Sequence, residues 1–85
     1  MAIKKTYINV IAEFGVHAII PLSFIWPYTG QCFNIDRVID VRNAPSLKAG
    51  GAGVRYTVQI RGVTRNLWLE NGKDWFVEED VIDAY

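Results

Sequence analysis

The sequence predicts a mainly β fold, one small domain of about five or six antiparallel strands closing on itself as a barrel. Three observations predict it. Apolar and polar residues alternate with period two along most of the chain, and no window of about 11 residues or more keeps a 3.6-residue period. Turn signals fall at short intervals, at Gly15, at Pro27-Tyr28-Thr29-Gly30, at Gly62 and at Asn71-Gly72. At 85 residues the chain leaves little room for a covering helix. Short strands then bury one face and remove their edges by closing, as SH3-like and OB-like barrels do.

Thr6 to Phe14 reads as the first strand, with Ile8, Val10, Ala12 and Phe14 on one face and Tyr7, Asn9, Ile11 and Glu13 on the other. Ala18 to Trp26 is the second, and Pro21, which has no amide hydrogen for a ladder, marks an edge or a bulge. Gln31 to Ile35 and Val38 to Arg42 read as one bent ribbon, interrupted at Asp36-Arg37 where a bulge would fall. Asn43 to Gly53 is a glycine-rich loop. Val54 to Arg61, Val63 to Glu70 and Asp74 to Glu78 follow as strands. Glu79 to Tyr85 is read as one acidic helical turn or a loose end, like residues 1–5.

Hairpin registers turn this pattern into contacts. With Arg61-Gly62 as a two-residue turn, Ile60 faces Val63, Tyr56 faces Leu67, Val54 faces Leu69, and Arg55 lies across from Trp68 on the opposite side. With Asn71-Gly72 as the next turn, Trp68 faces Trp75 and Leu67 faces Phe76. Tyr56, Leu67, Leu69 and Phe76 are therefore expected inside, and Arg55, Trp68 and Trp75 outside. Two outer tryptophans imply a cover from elsewhere in the chain, a second subunit, or a ligand groove.

Composition sets bounds. The chain is 51% hydrophobic and 13% aromatic, which excludes a disordered protein, and nine Lys+Arg balance nine Asp+Glu, which excludes a polycation coating nucleic acid by bulk charge. The zero is a sum of unlike blocks: residues 37–65 hold six bases and one acid, and residues 66–85 hold six acids and one base. Cys32 has no second cysteine to pair with, so a reducing, cytoplasmic setting is expected. The apolar window Val16 to Tyr28 is broken by Pro21 and Pro27 and is short of the roughly 20 residues of a membrane span. No signal peptide and no membrane partner are expected.

The run IDRVIDVRNAPSLKAGGAGVRYTVQIRG at residues 35–62, followed by Leu67 and Trp75-Phe76-Val77-Glu78, resembles a family of small uncharacterised bacterial proteins. The resemblance extends from Pro21 to Glu78, and SLKAGGAGVRYT is its most specific part. It implies a small SH3-like β-barrel and no assigned activity. The chain departs from the pattern after Trp26, where Pro27-Tyr28-Thr29-Gly30 replaces a shorter acidic turn.

No catalytic residues, cofactor or metal site are expected. Cys32 and His17 are one thiol and one imidazole without a third ligand, and a lone strand cysteine is ordinarily a small buried hydrophobe. Asp36 and Asp40 have Arg37 and Arg42 as neighbours to pair with. The loop Ala49 to Gly53 lacks the Gly-Lys-Ser/Thr ending and the helix of a phosphate cradle. The expected function is a non-enzymatic module for protein interaction or self-association, with nucleic-acid binding as the alternative. Arg42, Lys48, Arg55 and Arg61 supply a basic patch, and Trp68 and Trp75 supply rings for stacking or cation–π contact.

Overall fold

The structure is a computed structural model and describes residues 2–16, 18–43 and 53–81. Seven strands form one antiparallel sheet rolled into a half-barrel: β1 (Ala2–Phe14), β2 (Ile19–Ile25), β3 (Cys32–Asn34), β4 (Arg37–Asn43), β5 (Val54–Ile60), β6 (Val63–Glu70) and β7 (Asp74–Val81). Their spatial order is β3-β2-β1-β7-β6-β5-β4. The all-β class is as expected, but the strand count is seven, not five or six. The difference arises at Asp36, where the expected ribbon divides into two strands that lie at opposite edges of the sheet. The Ile35 amide donates to the Leu22 carbonyl at 2.9 Å and the Asp36 amide to the Gln59 carbonyl at 2.8 Å, so this two-residue corner joins the β2 side to β5.

The inner face carries the core. Ile8, Phe24, Tyr56, Val58, Ile60, Leu67, Leu69 and Trp75 are buried together, and Val58 and Leu67 are fully enclosed. β1 shows the alternation read from its sequence, because Ile8 is buried while Tyr7 and Ile11 are exposed. It also starts earlier than expected, at Ala2, since residues 2–8 pair with β7 while 9–14 pair with β2. The ladder to β2 shifts register between Ile11 and Ala12, beside Pro21, which is the bulge the proline called for. In β4 the irregularity falls between Val38 and Asp40 rather than at Asp36.

One hairpin keeps its expected register and the other does not. β5 and β6 pair from Ile60↔Val63 through Arg55↔Trp68 to Val54↔Leu69, as the sequence implies. Arg61 and Gly62 close the hairpin with φ of 51° and 77°, the left-handed pair that a two-residue hairpin turn demands. Asn71 and Gly72 are likewise left-handed, but here Lys73 also stays out of the ladder and Glu70 pairs with Asp74. One added residue exchanges the faces of everything after it. Trp68 consequently faces Phe76, and Trp75 faces Leu69 and Ile8 in the core. The expected outer position of Trp75 and inner position of Phe76 are thus reversed. β7 also continues to Val81, where a strand ending at Glu78 and then an acidic helical turn or a loose end were expected; residues 82–85 and the loop 44–52 lie outside the described residues.

Candidate functional site

The most distinctive local feature is the place where the sheet divides. β6 and β7 share only three register pairs, ending at Trp68↔Phe76. Beyond that fork β7 stays with β1 through the remaining five pairs of their ladder, and β6 stays with β5 through five more. The edges Val63–Leu67 and Val77–Glu79 then border a cleft of about 730 Å³, with Phe24, Trp26 and Phe33 among the residues lining it. Phe24 and Phe33 stack at 5.3 Å, and Trp26 meets Tyr28 edge-on at 5.4 Å. Phe24 and Phe33 come from β2 and β3, and Trp26 from the residue that follows β2.

The cleft walls carry unlike charges. Arg61 and Arg65 lie on the β6 side and Glu78 and Glu79 on the β7 side. Arg61 is held twice, its amide donating to Asp36 Oδ2 at 2.9 Å and its guanidinium lying 5.4 Å from the Phe33 ring centre. Thr6 donates its hydroxyl to Glu79, and the Lys4 ammonium donates to the Tyr28 hydroxyl at 2.5 Å. That hydrogen bond raises Lys4 above the ordinary lysine range and lowers the Tyr28 phenol. Tyr56 moves the other way, pushed up by burial.

The sequence-predicted residues do not form one surface. Arg42, Arg55 and Trp68 are successive register partners across β4, β5 and β6, so they share a row on the outer face. Arg42 turns to Asp40, 2.7 Å away. Arg61 is at the far end of β5, on the cleft, and Trp75 is in the core. Lys48 and His17 lie outside the described residues, and Cys32 is exposed on β3. Trp68 belongs to both places: its ring stacks on Phe76 at 5.8 Å and 8° on the outer face while its edge reaches the cleft. Its Nε1 and the neighbouring Arg55 Nε are buried without hydrogen-bond partners. Trp26, Phe33, Arg65 and Glu79 were not singled out from sequence; the available signal was that Phe24 and Trp26 have the same parity in the segment Ala18 to Trp26.

Beside the fork the outer face is tied by charge. Lys5 Nζ binds Glu70 Oε1 at 2.7 Å, the Tyr7 hydroxyl donates to Glu70 Oε2 at 3.1 Å, and Lys5 sits 4.4 Å over the Phe76 ring. The hydrogen bonds from Lys5 and then Tyr7 hold the Glu70 carboxyl below its usual range, and those with Glu70 and Tyr7 raise Lys5. A depressed carboxyl stabilises the fold fully above its unfolded pKa, and that contribution disappears as pH falls through the folded value. Glu70→Gln is therefore expected to lower the urea midpoint at neutral pH and to lower it less as the pH is taken down through the acidic range. Equal losses throughout would contradict this assignment.

Among the described residues no group of three or more metal-ligating side chains occurs, and no helix is long and apolar enough to cross a membrane. Comparison with protein-family models, curated proteins and solved structures finds no match for the chain.

Proposed function

We propose that the chain is a non-enzymatic interaction module, an SH3-like half-barrel working in a reducing, cytoplasmic setting, whose cleft takes an extended segment of a partner polypeptide. The observation that carries this reading is the early end of the β6–β7 ladder, which leaves two strand edges bordering one aromatic-lined space. A strand entering between them gains backbone hydrogen bonds along Val63–Leu67 and Val77–Glu79, and alternate side chains point toward Phe24, Trp26 and Phe33. Arg65 and Glu79 on opposite walls bias its register. The edges also match each other: carried past Trp68↔Phe76, the register would set Leu67 against Val77 and Arg65 against Glu79. An incoming strand therefore competes with closure of the hairpin itself, which favours segments with an apolar inner face.

The test is selection of displayed random peptides on the intact protein, followed by amide shift mapping with a selected peptide. Shifts concentrated in 63–68 and 77–79, with affinity lowered about tenfold or more by Trp26→Ala in a folded protein, are expected. Shifts confined to other strands would overturn the reading.

The row Arg42, Arg55 and Trp68 favours a second reading, binding of single-stranded nucleic acid. Its weakness is that Trp68 is 9% exposed and stacked on Phe76, which leaves phosphate contacts without base stacking. Tryptophan quenching by oligonucleotides that falls with salt and with Arg55→Ala, where no peptide is selected, would favour it over the first.

A further inference from the structure

A second interface, independent of the cleft, lies along β1. On the side that β7 occupies next to residues 2–8, the ladder ends at Ile8↔Trp75, while β1 runs on to Phe14 with β2 on its other side only. Among the described residues no strand pairs with this edge. Beside it opens a notch of about 370 Å³ whose lining includes Ile8, Val10, Phe14, Lys73, Asp74 and Trp75. Phe14 is 72% exposed and Ile11 54%, so a strand edge and large apolar side chains are presented together. Natural sheets ordinarily blunt such an edge with charge or proline, and from Val10 to Phe14 the edge has one acid, Glu13.

We propose that this edge pairs antiparallel with the same edge of a second copy, forming a twofold dimer centred on Ala12. The register follows by elimination. An axis normal to the sheet keeps inner face against inner face only when it passes through a residue, since an axis between residues opposes Val10, Ala12 and Phe14 to Ile11 and Glu13. Centring on Ile11 sets Phe14 opposite Ile8, a position already held by Trp75. Centring on Glu13 brings two like charges together and leaves Val10 uncovered. Centring on Ala12 sets Phe14 opposite Val10 and Glu13 opposite Ile11. Phe14 of each copy then continues the lane of β7 two positions from Trp75, in the notch of the other copy. The charges agree: Glu13 and Lys73 are exposed, neither has an ion-pair partner among the described residues, and the pairing carries each Glu13 toward the Lys73 turn across the axis.

Light scattering after size exclusion is expected to show a dimer for the full chain. Phe14→Asp, with an unchanged urea midpoint at concentrations where both proteins are monomeric, is expected to raise the dissociation constant about tenfold or more. Antiparallel partners have Cα atoms about 4.5–5.5 Å apart, within disulfide range. Ala12→Cys in a Cys32→Ser background should accordingly give a covalent dimer on mild oxidation, whereas Ile20→Cys in the same background should not. Should Phe14→Asp disturb folding, Glu13→Lys and Lys73→Glu should each weaken the dimer and together restore it. A monomer at every concentration, or a dimer indifferent to Phe14→Asp and without the Ala12 crosslink, overturns the proposal; the second outcome would assign the contact to another face.

Discussion

Replacing Trp75 with alanine is expected to cost about 3–5 kcal/mol, the range for deleting a large buried aromatic side chain. The indole is 6% exposed, lies 5.0 Å from the Tyr56 ring, and stands between its register partners Ile8 and Leu69 where β1, β7 and β6 adjoin. At Trp75 β7 is laddered to β1 on one side and to β6 on the other, so the surrounding residues relax little into the space and most of the cavity cost remains. Domain stabilities are about 5–15 kcal/mol, so the variant loses a large share of its total. Urea unfolding followed by circular dichroism measures it, with the midpoint falling and the slope unchanged. Trp75→Phe should retain more than half of the lost stability, since the inner-face contacts to Tyr56 and Ile8 survive. A loss below about 1 kcal/mol would return Trp75 to the outer face, where the sequence alone had put it.

That reversal shows where the sequence is legible and where it is not. The β5–β6 hairpin is readable pair by pair because Arg61-Gly62 is a two-residue turn, so parity carries from Val54 through Leu69. Asn71-Gly72 signals the next turn equally well, yet nothing local says whether Lys73 joins the ladder. The answer depends on β7 also having to present Trp75 and Val77 to Ile8 and Thr6 on β1, a long-range demand. Asp36 is similar: a break in an apolar pattern looks the same as a bulge or as a crossover, and only the pairing of β3 with β2 and β4 with β5 separates them. The basic residues were visible as residues, and the outer placement of Arg55 followed from alternation. Their grouping did not, because Arg55 and Arg61 are six residues apart on an extended segment, about 20 Å. The cleft was invisible, since it results from β7 keeping β1 as its partner past the fork and β6 keeping β5.

Phe76→Ala should cost as much as Trp75→Ala, about 3–5 kcal/mol, although Phe76 is on the outer face. It is 1% exposed, covered by the parallel Trp68 ring at 5.8 Å, the Tyr7 ring edge-on at 5.8 Å and the Lys5 ammonium at 4.4 Å. The outer face thus has a second apolar layer one residue deep, with the lysine stem as part of its cover and Glu70 fixing the lysine head. Removing the ring withdraws the surface on which Lys5 and Trp68 both rest. A double-mutant cycle with Lys5→Ala is expected to give a coupling of about 0.5–1 kcal/mol, the size of an exposed cation–π contact. Because Trp68↔Phe76 is the last pair before the strands part, the same substitution should speed amide exchange at Trp68, Leu69 and Glu70 more than in β5. Uniform acceleration across the sheet would mean that Phe76 stabilises the domain as a whole without holding the fork. Faster exchange confined to the fork would identify this stacked pair as the hinge on which the width of the cleft depends.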